Sequence, residues 1–249
     1  MRIVGPATAL TVVAALAVGC GPVVGGTPKP APNLKPRLVT GDAVRQVPLD
    51  DAALSRMLGQ PFVSRQPPEF GGLDQLNDQI APERCLGVTA MLQKSVYGSA
   101  RVKDVAYDSW WNNGDPAQVI SVMEGVVTLP TAAQAEALFA RFTDQWQQCN
   151  DAKTTEQTGP ISTTNVISDI RITNTVVAAT NTATAVLPNM PPLRPTPQAR
   201  AIGIRLNALV EVEVVFFGDR RPSDPGSATL DTSAIDIAHA MMDKVSALS

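Results

Sequence analysis

Three cysteines stand in this 249-residue chain, at positions 20, 85 and 149, and their use constrains the fold more than any other feature. Cys20 closes an N-terminal segment with three parts. Met1-Arg2 gives a short positive end, Ala7 to Val18 runs apolar without a charge, and Gly19-Cys20 ends it. A run of about a dozen apolar residues falls short of the roughly 20 that a helix needs to span a bilayer. Residues 1–19 therefore read as an export signal to be removed, not as a permanent anchor.

Ala17-Val18-Gly19-Cys20 resembles a bacterial lipobox, in which small residues precede a cysteine whose thiol accepts a diacylglyceryl group. The Leu usual three places before the cysteine is Ala17 here, with Leu16 one place early. The competing outcome is plain secretion with Cys20 left as a free thiol. One acyl chain (a palmitate, for instance) holds a protein marginally and two or more hold it stably. A lipidated Cys20 thus predicts a chain kept on the extracytoplasmic face of the cell membrane. Residues 20–40 follow as lipidated N-terminus and tether, carrying Pro22, Pro28, Pro30, Pro32 and Pro36. Proline removes backbone donors and favours extended chain, giving a reach of about 40 Å or more. Loss of Arg2 with the signal takes the formal net charge from −3 to −4. That mild balance, without a basic patch, argues against a nucleic-acid partner.

Export also bears on the other two cysteines. Outside the cytoplasm a leftover pair usually joins, so Cys85 and Cys149 are expected to form one disulfide. Closing a loop of about 64 residues would stabilise the fold by about 4 kcal/mol in the chain-entropy treatment. A metal or thiol-catalytic site is the weaker alternative, since the sequence has no CxxC and its one histidine, His239, is distant.

Residues 41–249 are long enough for one domain with its own core. Asp50 is placed to cap a short helix to Leu58, and Phe62 to Gly72, rich in Pro and Gly, reads as loop. A helix is expected from Pro82-Glu83, turning Cys85, Val88, Met91 and Leu92 inward. Val102 to Asn112 alternates as a strand, Asn113 to Pro116 turns, and Gln118 to Leu129 returns as its hairpin partner. After Pro130, Thr131 and Gln134 have capping-box spacing. Ala135, Leu138, Phe139, Phe142, Trp146 and Cys149 then form one apolar helical stripe. Cys149 thereby faces the core, where Cys85 also points. Ile161 to Ala185 favours strands, Pro188 to Pro197 a loop, and Ala199 to Asn207 and Ala208 to Phe217 two further strands. A helix from Asp231 to Leu248 closes the chain with Ile235, Ala238, Met242 and Val245 inward. Without strict strand–helix alternation, this order reads as α+β with an antiparallel sheet.

Several local patterns carry a family likeness. They are Pro82-Glu83-Arg84-Cys85-Leu86-Gly87, Trp110-Trp111 with Gly114-Asp115, Leu129-Pro130-Thr131, Trp146-Gln147-Gln148-Cys149, and the run from Arg200 to Val210. Together they resemble the PknH-like extracellular domain, a sensor-type module of mycobacterial cell-envelope lipoproteins that also forms the outer end of a receptor serine/threonine kinase. The likeness covers roughly Leu49 to Leu248. It implies a twisted antiparallel sheet flanked by helices, with a cleft for an unidentified ligand. A second disulfide common in the family would fall near Thr196-Pro197 and Val215-Phe216, where no cysteine stands. No kinase motif is present, so a sensor of this kind would report through another protein.

Enzymatic chemistry finds little support. His239 reads as a packed side chain on the apolar side of the last helix. Asp50-Asp51 reads as a helix start, and Glu211 and Glu213 as solvent-facing positions of a strand. No metal-ligand cluster, cofactor motif or nucleophile elbow is present. Trp110 and Trp111 are neighbours in a strand and point to opposite faces. Both covered by packing is one reading; one lying in a groove for an apolar or sugar-containing ligand is the other. Three classes stay open: a ligand-binding sensor module, a protein-interaction module docking an envelope partner, and, last, a hydrolase. We expect Cys20→Ala to release the protein from the membrane fraction on cell fractionation; retention there would overturn the lipobox reading.

Overall fold

The computed structural model describes residues 37–77, 84–219 and 223–249. The signal segment, Cys20 with most of the tether, and Pro82-Glu83 lie outside the described residues.

The helices form where caps and apolar stripes coincide. In α1 (Asp51–Leu58) the Asp50 carboxylate accepts the Ala53 N–H at 2.7 Å. Gly59 then ends the helix with φ 68°, and a Cβ there would also meet the Ser227 backbone at 3.0 Å. In α4 (Ala132–Gln147) the Thr131 hydroxyl accepts the Gln134 N–H, and the predicted stripe from Ala135 to Trp146 is buried. In α5 (Ser233–Leu248) the buried set is Ala234, Ile237, Ala238, Met241, Met242 and Val245. That stripe starts one residue before Ile235 and leaves His239 exposed, correcting its expected packing.

Nine strands make one sheet. They are β1 (Phe62–Ser64), β2 (Glu69–Gly71), β3 (Val105–Asn112), β4 (Val119–Thr128), β5 (Lys153–Thr158), β6 (Ile161–Ile172), β7 (Val176–Val186), β8 (Thr196–Arg205) and β9 (Ala208–Phe216). The order is β1-β3-β4-β9-β8-β7-β6-β5, with β2 also on β3, and every pairing is antiparallel. The β3–β4 hairpin turns where Asn112 Oδ1 accepts the Gly114 N–H, with Gly114 at φ 99°.

Three expectations change. The 62–72 segment is not all loop: Phe62 pairs with Asn112 and Gly71 with Val105, closing the outer edge of β3 that would otherwise be open. The helix expected from Pro82 shortens to α2 (Leu86–Thr89): Ala90 is already extended, and Leu92 turns to φ 51° before α3 (Lys94–Tyr97) begins. Its inward residues Cys85, Val88, Met91 and Leu92 are nonetheless buried. The polar, largely exposed β5 has no apolar alternation to announce it.

Helices cover both faces of the sheet, the α+β arrangement expected. On one face α1 and α5 pack over Val122, Val126, Val210, Val212, Val214 and Phe216. On the other, α2 and α4 pack over Val127, Val177, Ile202 and Leu209. Cys85 and Cys149 are joined, Cα to Cα 5.8 Å, tying α2 to the end of α4. Packing begins at Val39, two residues ahead of the boundary drawn from composition. The Val39 N–H donates to Asn207 Oδ1 and its carbonyl accepts from Asn207 Nδ2, which fixes the incoming chain.

The first face also buries Glu124 completely, with Oε1 accepting the Leu49 N–H at 3.0 Å and Oε2 unpartnered. Burial pushes its carboxyl up to about 8, so it is neutral at pH 7. A folded-state value above the unfolded 4.5 means this contribution to stability is full below pH 4.5 and lost as pH rises through 8. Thermal unfolding should therefore move to lower temperature between pH 5 and pH 9, and Glu124→Gln should flatten much of that slope.

Candidate functional site: a carboxylate-lined cleft

The site starts from the alternation of β9. Val210, Val212 and Val214 point to the α5 face, so Glu211 and Glu213 point to the other. These two acids were expected in solvent, and the structure corrects that: they are 3% and 7% exposed. The alternation holds, but β9 is a central strand and residues 84–97 cover its polar face.

Opposite Glu213, on β8, stands Arg200, with no exposure at all. Its Nη2 donates to Glu211 Oε2 at 3.2 Å and to the Gly87 carbonyl at 3.2 Å, and its Nε donates to the Val88 carbonyl at 3.0 Å. Glu211 in turn accepts the Tyr97 hydroxyl at 2.6 Å and the Leu92 N–H at 3.2 Å. Burial first, then the Glu211 charge, raises the Tyr97 hydroxyl well above its usual value, so it serves as a donor. Leu92, in its left-handed conformation, lies over Gly125, where a Cβ would meet its Cδ2 at 2.9 Å. Gly125 is thus the seat that lets the Leu92 amide reach Glu211.

Glu213 is left differently. Its Oε2 is 3.7 Å from Arg200 Nε, and no described residue gives it a hydrogen bond. It lines a cleft of about 420 Å³ whose floor is Tyr107, Met123 and Glu213, with Thr89 and Met91 on one wall and Glu156 of β5 on the other. Strands β3 and β5 are six steps apart, about 29 Å in a flat sheet. Their meeting in one cavity requires the sheet to twist and curl over itself. The register shift between Ser168 and Arg171, with Asp169 at φ 56°, supplies extra local twist. Desolvation raises the carboxyls of both Glu213 and Glu156, the former eased by Arg200. The cleft therefore presents under-solvated acceptors, which suits a ligand rich in hydrogen-bond donors or positive charge.

The residues singled out from sequence fall elsewhere. Cys85 and Cys149 anchor the wall beneath the cleft, and Cys20 lies outside the described residues. Trp110 packs half-buried against the opposite face, its indole N–H near Glu124 but out of hydrogen-bond geometry. Trp111 is half-buried with the Arg65 guanidinium 5.1 Å over its ring. Neither indole lines this cleft. The positions of the family's second disulfide fall on neighbouring strands, Thr196 and Pro197 on β8 and Val215 and Phe216 on β9. Among the described residues no three His, Cys, Asp or Glu side chains gather as a metal site.

The pair missed from sequence had a countable signal. A two-residue turn at Leu206-Asn207 sets the β8–β9 register, Arg205 opposite Ala208, and that register places Arg200 opposite Glu213. Arg200→Met strands two buried carboxylates and should cost about 3–5 kcal/mol in urea unfolding. Adding Glu211→Gln and Glu213→Gln should recover part of that loss.

Comparison with known proteins came out as follows. The family model described as PknH-like extracellular domain matches residues 39–244. The crystal structure of the extracellular domain of PknH from Mycobacterium tuberculosis superposes with a TM-score of 0.68 at 17% identity, covering 85% of this chain and 98% of that one. An Rv0999 ortholog from Mycobacterium smegmatis gives a TM-score of 0.38 at 10% identity, covering 82% and 96%, too low to carry weight. A search of curated proteins found no match.

Proposed function

The chain belongs to the PknH-like extracellular domain family, and on that premise we propose that it is a lipid-anchored extracytoplasmic sensor-type protein whose cleft binds a small molecule. Cys20 supplies the anchor, residues 1–19 are the signal removed on export, and the domain stands clear of the membrane on its proline tether. Among the described residues no helix is long and apolar enough to cross a membrane. A binding rather than catalytic role follows the family and the cleft's make-up.

The observation that carries this reading is Glu213. A carboxylate 7% exposed, without a hydrogen bond from any described residue and facing a cavity, is an acceptor held ready for a partner. Arg200 keeps it in place by charge and leaves its cleft-facing side free. Thr89, Gln93 and Tyr107 add polar groups, while Met91 and Met123 give the soft apolar surface that adapts to irregular ligands. We infer a ligand carrying amine or hydroxyl donors on a compact frame. A second reading, a module docking an envelope protein, rests on the loop before β8, where Met190 and Leu193 are 52% and 45% exposed.

Native mass spectrometry of the full chain after exposure to envelope extract decides between them. The cleft reading expects a retained small-molecule mass that is lost in Glu213→Gln while the fold persists. A small-molecule mass retained equally by Glu213→Gln would move the site away from the cleft. A protein mass lost on replacing Met190 and Leu193 by Ser would favour the docking module.

A further inference from the structure

The opposite face of the sheet holds a larger cavity, of about 480 Å³, between the segment leading into α1, strands β2 and β3, and the end of α5. Its walls are apolar where Leu49, Phe70, Ala106 and Leu248 meet. Asp108 lies in its lining, only 7% exposed. One Asp108 oxygen accepts the Ser109 N–H at 2.8 Å, and the other has no partner among the described residues. A carboxylate with one oxygen left over thus borders a chamber with apolar walls.

We propose that this cavity is a second binding site, for a small organic ammonium whose apolar body fills the chamber and whose charge pairs with Asp108. The other charges in the lining are already engaged. Arg45 stacks 4.2 Å over the Phe70 ring and pairs with Asp42, Lys244 donates to the Pro48 carbonyl, and Asp50 caps α1. Glu69 sits exposed at the rim. Asp108 is thus the most deeply buried carboxylate of the lining with an oxygen left over. Its cross-strand neighbour is Glu124, which lies behind Leu49 and takes that residue's N–H. Burial keeps Glu124 neutral at pH 7, so it adds no like charge beside Asp108. Desolvation raises the Asp108 carboxyl, and an ammonium beside it would oppose that rise. The site is distinct from the cleft, since Asp108 and Glu213 point to opposite faces, with Tyr107 bordering both.

Methyl NMR of the full chain tests this with three water-soluble probes of one shape: cyclohexylmethylammonium, cyclohexylmethanol and cyclohexanecarboxylate. The ammonium should shift the Leu49, Ala106 and Leu248 methyls and leave Met91 and Met123 unmoved. It should bind at least about tenfold more tightly than the alcohol or the carboxylate, and Asp108→Asn should weaken it about 10- to 100-fold. Equal or tighter binding of the carboxylate or alcohol to the unaltered protein would overturn the proposal without recourse to a variant. So would no shift at millimolar ammonium. Shifts confined to Met91 and Met123 would sink this site while supporting the cleft, and binding here with Glu213→Gln unaffected would separate the two sites.

Discussion

Arg200 is a permanently charged side chain with no exposure, and the arrangement of one face of the sheet follows from how it is satisfied. Taking a guanidinium and a carboxylate out of water costs several kcal/mol each, and their attraction only balances this when nearly every donor and lone pair is used. Here the donors reach Glu211 and the carbonyls of Gly87, Val88 and Val212, while Glu211 takes Leu92 and Tyr97. Two of those groups are carbonyls and one an amide of a single irregular segment. The ion pair is therefore a specification of where residues 87–97 sit more than a source of net stability. A shift of that segment by one residue would leave charge buried and unpaired.

The disulfide acts on the same segment from its other side. Cys149 ends the α4 stripe, so the helix that packs on the sheet also holds Cys85, and Cys85 holds the start of the segment Arg200 fixes. Helix, segment and sheet form a closed circuit: covalent at one corner, apolar along α4, ionic at the sheet. The cleft wall is built from this circuit. Its remaining wall, β5, is a polar edge strand brought round by the curl of the sheet. One wall is over-determined and the other rests on twist, so the cavity has one fixed side and one held only by the curl of the sheet.

How much of this was legible in the sequence depends on the range of each interaction. Asp50 and Thr131 cap their helices through bonds spanning three residues, and the α4 stripe repeats within a turn or two, so both could be read locally. The β3–β4 hairpin announced itself through Asn113-Gly114 and alternation. The burial of Glu211 and Glu213 could not be read that way. An alternating strand has the same pattern whether its polar face meets water or a segment more than a hundred residues earlier, and Leu92 to Glu211 is such a contact. The α2 helix was drawn too long because Met91 and Leu92 are buried like the helical residues before them, although the backbone is extended from Ala90. His239 went wrong by a smaller margin, a stripe phased one residue off around a helix.

Both faces of the sheet thus carry a carboxylate that the fold has paid to bury and has not fully used. On the cleft side Arg200 stands beside Glu213 but offers it no hydrogen bond; on the α5 side Glu124, neutral at pH 7, is the cross-strand neighbour of Asp108. Strand β3 borders both cavities, since Tyr107 lines each while Asp108 lines one. It is also the strand whose outer edge is closed only by two three-residue strands, β1 and β2. A ligand in either cavity would bear on this strand. Energetic coupling between the two would need β3 to have two distinct positions, each favoured by one ligand.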